Sequence, residues 1–192
     1  MCIINGHLEE SYFSDLAELV YEAFEQKIVA AGVPKEVAVE MMLQSIDPQA
    51  AFYAYCDGRL AGMAGLISHS GQFFHFRLKT FRQHFGLFRS IFYTLMMGSE
   101  DSVFVNELKI APLAVASDMR GRGIGTKLIG HVERYAREQG YRILSLDVVD
   151  TNTGALRLYQ KLGFRIHSTA HFLGLTKRAG FSGSHYMQKR IG

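Results

Sequence analysis

The chain has 192 residues, a length that predicts one domain over residues 1–192 at roughly 100–200 residues per domain. Its composition is 48% hydrophobic and 20% charged, which is typical of a globular protein and excludes a disordered tail protein. A net charge of +3, from 21 Lys and Arg against 18 Asp and Glu, does not indicate a nucleic-acid-binding protein but is compatible with a small anionic ligand.

The first seventy residues predict a strand, two helices and a β-hairpin. Residues 2–6 suit a short strand, and residues 14–27 space their apolar side chains as one face of a helix. Pro34 suits the first position of a second helix, which continues to Ile46. An Asp-Gly pair at residues 57–58 then separates two apolar, β-like segments, which is a strong hairpin signal.

Residues 71–97 hold seven of the 14 phenylalanines, four basic residues and no acidic residue. Their apolar side chains follow in steps of four and three, which predicts a helical insertion with one apolar stripe. The stripe consists of Phe74, Leu78, Phe81, Phe85, Phe88, Phe92 and Leu95. Three interpretations are open: a helix packed against its own domain, a lid or wall for an apolar or anionic acceptor, and a helix that binds a membrane surface or a partner.

The second half of the chain predicts alternating strands and helices. Strands are predicted over residues 101–115, 142–149, 163–171 and 184–191, and helices over residues 122–139 and 153–162. Pro112 indicates a kink or bulge in the first of these strands. Gly140 ends the first helix, and Asn152 suits the N-cap of the second.

The two cysteines, Cys2 and Cys56, indicate neither a disulfide framework nor a metal site, and no metal is expected. No basic start followed by an apolar run opens the chain, so no signal peptide is predicted. No stretch of about 18 apolar residues occurs that could form a transmembrane segment. These observations predict a cytoplasmic protein.

Residues 115–126 join a predicted strand to a predicted helix through a turn rich in glycine and arginine. The turn contains Arg120, Gly121, Arg122, Gly123 and Gly125. Glycines let backbone N–H groups approach a ligand, and the first N–H groups of a helix lack internal partners at the positive end of the helix dipole. The turn therefore predicts a phosphate site, with a plain tight turn and two solvated arginines as the alternative.

Two known nucleotide-binding motifs do not fit this turn. Thr126 stands where the Rossmann fingerprint requires its third glycine. No Gly-Lys-Ser or Gly-Lys-Thr sequence follows, as the Walker A motif requires.

Two motifs about thirty residues apart give the chain a specific resemblance. The first consists of Val115, Arg120, Gly123 and Gly125, and the second of Asn152, Ala155, Leu158, Tyr159, Gly163 and Phe164. In this order and spacing, the chain resembles the GNAT superfamily of acyl-CoA N-acyltransferases, most closely over residues 103–170. The resemblance implies an α/β fold: a single GNAT-like domain with a mixed, mostly antiparallel central sheet, splayed at the cofactor strand and flanked by helices.

The resemblance also implies a binding site for acetyl-CoA, the acyl donor and cosubstrate. Backbone groups of Leu113, Ala114 and Val115 would bind the pantetheine arm. The pyrophosphate would be held by the amides of Arg120, Gly121, Arg122, Gly123, Ile124, Gly125 and Thr126. Asn152 would contact the pantetheine or shape the splay, and Tyr159 would lie near the thioester sulfur.

Tyr159 is the candidate general acid. Acyl transfer from a thioester to an amine needs a neutral amine, a polarised carbonyl and a proton for the leaving thiolate. A phenol with a pKa of ~10 can donate that proton. The alternative is a buried aromatic residue with a satisfied hydroxyl.

Glu107 is the candidate general base, because it is the carboxylate inside the strand that leads to the glycine turn. Many family members carry an acid on this strand where Pro112 stands here. The alternative for Glu107 is a solvent-facing strand residue. Asp147 and Asp150, on the later strand, are weaker candidates.

The sequence thus predicts transfer of an acetyl group from acetyl-CoA to a primary amine through a direct ternary complex. Neither cysteine lies near the motifs and no Ser-His-Asp arrangement is apparent, which argues against a covalent enzyme intermediate. The alternatives are a non-catalytic CoA-binding regulatory or interaction module and, more distantly, an unrelated phosphate-binding α/β protein. The acceptor would be a small-molecule or protein amine, no nucleic acid is expected, and a homodimer is compatible with the sequence.

Overall fold

The structure, a computed structural model, describes residues 2–30, 32–75, 78–82, 84–86, 103–171 and 180–192. Within these ranges the strands are β1 (Cys2–Asn5), β2 (Ala51–Cys56), β3 (Arg59–Ser68), β4 (Gly71–Gln72), β5 (Glu107–Val115), β6 (Ile143–Val149), β7 (Arg165–His171) and β8 (Gly183–Arg190). The helices are α1 (Phe13–Ala30), α2 (Lys35–Leu43), α3 (Leu78–Arg82), α4 (Ile124–Glu138) and α5 (Thr153–Lys161), with 3₁₀ turns at Glu10–Tyr12 and Ser117–Met119. Each of these helices is too short or too polar to cross a membrane.

The strands form one mixed, mostly antiparallel sheet. Their order is β1-β2-β3-β5-β6-β8-β7, and β4 pairs with β3. β5 and β6 are parallel and are connected through α4, whereas the other strand pairs in the described residues are antiparallel. The predicted fold class is therefore confirmed.

Helices pack on both faces of this sheet. The apolar side of α4 buries Ile124, Leu128 and Val132 on one face, as their spacing predicted. On the other face, α1 buries Leu16 and Val20 in a second core with side chains of β2 and β3. Each buried side chain of this size contributes roughly 1.5–3 kcal/mol, so the two cores determine which face each strand residue occupies.

Two predicted boundaries are wrong by several residues. α2 ends at Leu43 rather than at Ile46, because Ile46 forms an antiparallel bridge with Phe74. β5 begins at Glu107 rather than at residue 101. The amide of Glu107 donates to the carbonyl of Phe104 at 2.9 Å, and this turn delays the start of the strand.

The predicted helical insertion at residues 71–97 is wrong at its start. Gly71 and Gln72 form β4, and the amide of Phe73 donates to the carbonyl of Leu66 at 2.9 Å. The ring of Phe73 is fully buried, so the chain is held extended at this point by packing and by backbone hydrogen bonds. Helix α3 covers only Leu78–Arg82, and residues 87–97 lie outside the described residues.

The expectation of no disulfide is also corrected. Cys2 and Cys56 face each other in the β1–β2 register, with Cα atoms 4.2 Å apart, and their sulfurs are bonded. They are separated by 54 residues, so no local spacing in the sequence signals the pair. The antiparallel pairing of the two strands brings the cysteines together at one edge of the sheet.

Candidate active site

β5 and β6 separate part-way along their length. Their parallel pairing runs from Glu107 opposite Ile143 to Ile110 opposite Leu146. β5 continues to Val115 and β6 to Val149 without further pairing between them. The sheet therefore opens into a cleft between these two strands, as the resemblance implied.

A bulge in β5 lies where the cleft begins. Ala64 pairs with Leu113 but Leu66 pairs with Ile110, so β5 has one more residue than β3 in this interval. Gly65 is opposite the bulge, where an added Cβ would lie 2.7 Å from the Ala111 carbonyl oxygen. This crowding requires glycine, and the predicted irregularity at Pro112 is confirmed.

The bulge determines which backbone groups of β5 face the cleft. The amide of Ala116 donates to the Ala61 carbonyl of β3 at 3.0 Å. Backbone groups alternate along a strand, so Ala114 also faces β3 whereas Leu113 and Val115 face the cleft. Of the three predicted pantetheine-binding residues, two therefore direct polar backbone groups toward the cleft.

The glycine turn presents a row of unpaired amides. Gly121 and Gly123 adopt φ values of +76° and +77°, the left-handed region that other residues rarely enter, and α4 begins immediately afterwards. Within the described residues, no backbone or side-chain acceptor binds the amides of residues 121–126. These donors lie at the positive end of α4, so the turn can bind an anion such as a diphosphate.

Gly125 contributes space rather than an unusual conformation. It lies in the first turn of α4, and an added Cβ would meet Val115 and Leu158 only at ordinary contact distances of 3.8 and 4.0 Å. The protein itself therefore does not require glycine here. A ligand held against the amides of the turn would require it.

The two arginines of the turn hold the turn in place. Arg120 Nε donates to the Val115 carbonyl at 3.1 Å, and its guanidinium lies 3.8 Å from Glu22 on α1. Arg122 donates to the carbonyl of Asp118 at 3.3 Å. Both side chains are largely exposed, so their charge also favours an anion at the turn.

Asn152 and Tyr159 belong to α5. The side chain of Asn152 caps the helix by accepting the Ala155 amide at 3.1 Å, as predicted. Tyr159 is 7% exposed and packs on Phe164 with ring centroids 6.1 Å apart. Burial raises the pKa of Tyr159 to about 12, so its hydroxyl stays protonated at neutral pH and can act as a donor.

Glu107 is not a solvent-facing strand residue. Its side chain is 1% exposed, and one carboxylate oxygen accepts hydrogen bonds from the hydroxyls of Ser145 and Tyr186. The other oxygen accepts the amide of Phe104 at 3.3 Å. Three donors on one carboxylate hold the Glu107 side chain in a fixed position in the sheet.

Lys109 and Tyr186 complete a polar cluster that the sequence analysis missed. Lys109 is buried, with its Nζ 2.7 Å from the carboxylate of Asp147 and 5.7 Å from the centre of the Tyr186 ring. A sequence signal was present: β5 and β6 each alternate polar and apolar residues, which places Glu107 and Lys109 on one face. The position of Tyr186, on the eighth strand, could not be inferred in this way.

Asp150 lies at the end of β6 and has a structural role. It accepts the hydroxyl of Ser182 at 2.6 Å and the Ser182 amide at 3.2 Å, and these bonds lower its pKa. No group of three His, Cys, Asp or Glu side chains in the described residues is arranged to hold a metal ion.

Known proteins match the chain in sequence and in fold. The acetyltransferase (GNAT) family matches residues 13–164. An uncharacterized N-acetyltransferase of Methanocaldococcus jannaschii is 46% identical over 56 residues, which cover 29% of this chain and 25% of that protein. Streptothricin acetyltransferase of Streptomyces lavendulae is 38% identical over 63 residues, 33% of each chain, so each match spans a third or less of the relative's length.

The fold has close counterparts among solved structures. The crystal structure of an N-acetyltransferase from Staphylococcus aureus Mu50 aligns with a TM-score of 0.68 at 20% identity, over 97% of this chain and 99% of that chain. This likeness concerns the fold, whereas the family match extends over most of the sequence and includes both of its motifs. The chain belongs to the acetyltransferase (GNAT) family.

Proposed function

We propose that this protein transfers an acetyl group from acetyl-CoA to an amine, by direct attack of the amine on the thioester. The observation that carries the proposal is the combination of the β5–β6 cleft with the unpaired amides of residues 121–126. An extended ligand with an anionic diphosphate matches both features, since the cleft offers strand-like backbone partners and the turn binds an anion.

Backbone groups would position the cofactor. Leu113 and Val115 would pair with the pantetheine arm as a neighbouring strand does, and the amides from Gly121 to Thr126 would bind the pyrophosphate. The predicted amide of Arg120 is not among these donors, because it donates to the Ser117 carbonyl at 3.5 Å. Asn152 fixes the start of α5, and α5 carries Tyr159. A backbone N–H of β5 facing the thioester carbonyl would stabilise the oxyanion that forms on attack.

Two side chains would move protons. The Tyr159 hydroxyl would protonate the leaving thiolate, for which its raised pKa keeps the proton available. Glu107 would be the final acceptor of the amine proton, since it is the carboxylate on the cofactor strand. Neither role requires a covalent enzyme intermediate, and Cys2 and Cys56 are joined to each other at the edge strand.

Two classes of acceptor fit the family. One relative, streptothricin acetyltransferase, is named for a small molecule, and the family match is equally compatible with a protein amine. We propose a small-molecule or protein amine, with a cytoplasmic location and no nucleic-acid partner. A non-catalytic CoA-binding module would share the turn and the cleft but would release no CoA in the presence of an amine.

Thermal shift with acetyl-CoA tests the cofactor site. A ligand that binds only the folded state raises the melting temperature, so acetyl-CoA should stabilise the wild type. Gly125→Val should remove that shift, because a branched side chain would fill the space beside the unpaired amides. Gly130→Val is the matched control: it lies in the same helix in open space, and it should melt lower but retain the full shift.

Release of CoA thiol then tests catalysis. The wild type is mixed with acetyl-CoA and, in turn, streptothricin, spermidine, lysine or a peptide beginning with alanine. Thiol release that depends on one of these amines supports the transferase. A full thermal shift for wild type without any amine-dependent release would favour the binding module, and a full shift for Gly125→Val would place the cofactor elsewhere.

A further inference from the structure

Glu107 cannot reach an amine in the cleft by itself. Its carboxylate is 1% exposed and receives three hydrogen bonds. Glu107 also lies four residues before Ala111, the position at which β5 and β6 separate. Four residues of a strand span about 13 Å. If Glu107 accepts the proton of an amine in the cleft, another group must carry that proton to it.

Tyr186 lies between the cleft and Glu107. Its backbone partner in the sheet is Asp147, the first residue of β6 beyond the last β5–β6 pair. From this position the side chain of Tyr186 extends toward the paired part of β5 and β6, and its hydroxyl donates to the carboxylate of Glu107. Tyr186 is only partly buried. Its phenol therefore connects the buried carboxylate of Glu107 with the part of the sheet where the cleft opens.

The hydroxyl of Tyr186 is set up to pass a proton on. A phenol oxygen donates one hydrogen bond and can accept two. Tyr186 donates to Glu107 and accepts one bond from Gln188 Nε2 at 2.9 Å. Burial, and then the bond to Glu107, raise its pKa, so the phenol holds its proton near neutral pH and directs it at the carboxylate.

The charges around Tyr186 favour a cation. Among the described residues, two carboxylates lie beside it, Glu107 from β5 and its cross-strand neighbour Asp147 from β6, and one ammonium, that of Lys109. The imidazole of His167 on β7 lies edge-on to its ring, with centroids 5.9 Å apart. The excess of one carboxylate suits an amine that arrives protonated, as most primary amines do at neutral pH.

We propose that Tyr186 is a further catalytic residue, which takes a proton from the acceptor ammonium while its own proton passes to Glu107. The proposal rests on the transferase function proposed above. One N–H bond of the ammonium breaks and a new O–H bond forms at Tyr186. The original O–H bond of Tyr186 breaks and a new one forms on Glu107, which leaves a neutral amine and an unchanged phenol. The lone pair of that amine then attacks the thioester.

Tyr186→Phe tests this role with acetyl-CoA and whichever amine of the panel above gives the fastest turnover. We expect kcat to fall by about 10²-fold at about pH 6.5, as for loss of a general base, with the KM for acetyl-CoA unchanged. The deficit should shrink toward about pH 9.5, because the free amine that is then available needs no base. If Tyr186 only supported the structure, raising the pH would not restore the kcat of the Tyr186→Phe variant.

Ser145→Ala is the matched variant, because it removes the other hydroxyl donor from the same carboxylate. We expect a smaller loss of turnover that does not depend on pH. Equal, pH-independent losses in both variants would show that Tyr186 merely supports Glu107 and would overturn its role as a proton carrier. A Tyr186→Phe enzyme as active as the wild type at about pH 6.5 would overturn it as well.

Loss of the Tyr186 role and loss of the transferase function give different results in these assays. A wild type that releases no CoA with any amine of the panel overturns the transferase, and the role of Tyr186 with it. An active wild type with an equally active Tyr186→Phe variant overturns the role of Tyr186 alone. The melting temperature and acetyl-CoA affinity of each variant show that the comparison is made between folded proteins.

Discussion

Tyr159 and Tyr186 carry the same phenol in different surroundings. Tyr159 lies in the apolar core beside Phe164, and burial alone raises its pKa to about 12. Tyr186 is partly buried, and its proton is directed at Glu107. In the described part of the chain no hydrogen bond holds the Tyr159 hydroxyl, so in the proposed reaction its proton would be available to a leaving thiolate. The two phenols thus suit opposite proton movements.

Tyr159→Phe should therefore lower kcat by about 10²-fold while the affinity for acetyl-CoA stays within about twofold, as expected for loss of a general acid. Since the pKa of Tyr159 is about 12, the wild type should show no loss of kcat from its ionisation below about pH 11. Steady-state kinetics across pH, with binding followed by calorimetry, measure both.

Tyr135→Phe is the control for this substitution. Tyr135 lies on α4, where it packs against the same core and contacts the ring of Phe52 with centroids 5.1 Å apart. Removal of its hydroxyl should leave kcat unchanged. If Tyr159→Phe behaves in the same way, the thiolate takes its proton from water and Tyr159 is a packing residue.

At the scale of the elements, local patterns were predictable and long-range pairings were not. The apolar face of α4 and the glycine-rich turn before it follow from spacing within fifteen or so residues, and the structure confirms both the helix and the turn. The phenylalanine spacing was misleading at its start, at residues 71–74, because the tertiary burial of Phe73 outweighs a helical pattern there. The partners of Glu107 come from β6 and β8, 38 and 79 residues away, so no local pattern could reveal them.

The glycine turn of residues 120–126 is also attached to another element. Glu22 of α1 accepts the amide of Ser117 at 3.2 Å and its hydroxyl at 3.5 Å, and it lies 3.8 Å from the Arg120 guanidinium. These contacts fix the turn between β5 and α4 to a helix 95 residues earlier in the chain. Glu22 would therefore preorganise the amides without touching the ligand.

Glu22→Gln should weaken acetyl-CoA binding by about three- to tenfold, because it replaces hydrogen bonds to a charged group by neutral ones and removes an exposed ion pair, each of modest strength. Calorimetric titration with acetyl-CoA measures the change. Glu18→Gln is the control one turn away on α1, where Glu18 pairs with Lys35 of α2 at 2.7 Å. Equal affinities for the two variants would show that the turn does not depend on α1.

At the scale of the whole molecule, stabilising and functional features lie at different positions in the sheet. The disulfide joins β1 and β2 at one edge, and β3 separates that pair from β5, the first strand of the cleft. The disulfide closes a loop of 54 residues that includes α1 and α2. The disulfide is at odds with the proposed cytoplasmic location, because reducing compartments keep such cysteines as thiols.

Reduction of this disulfide should lower stability without changing the cleft. For a loop of this length, the loss of chain constraint in the unfolded state corresponds to about 4 kcal/mol. In a chain of this size that amounts to a fall in melting temperature of roughly 10 °C.

Cys2→Ser should melt at the temperature of the reduced wild type, whether or not a reductant is present. It should also retain the wild-type KM for acetyl-CoA, since the bond lies outside the cleft. Thiol titration of the unfolded wild type without reductant completes the measurement. The contrary outcome is two reactive thiols per chain and a melting temperature that reductant leaves unchanged. That outcome would show that the cysteines stay reduced, and it would support the cytoplasmic location instead.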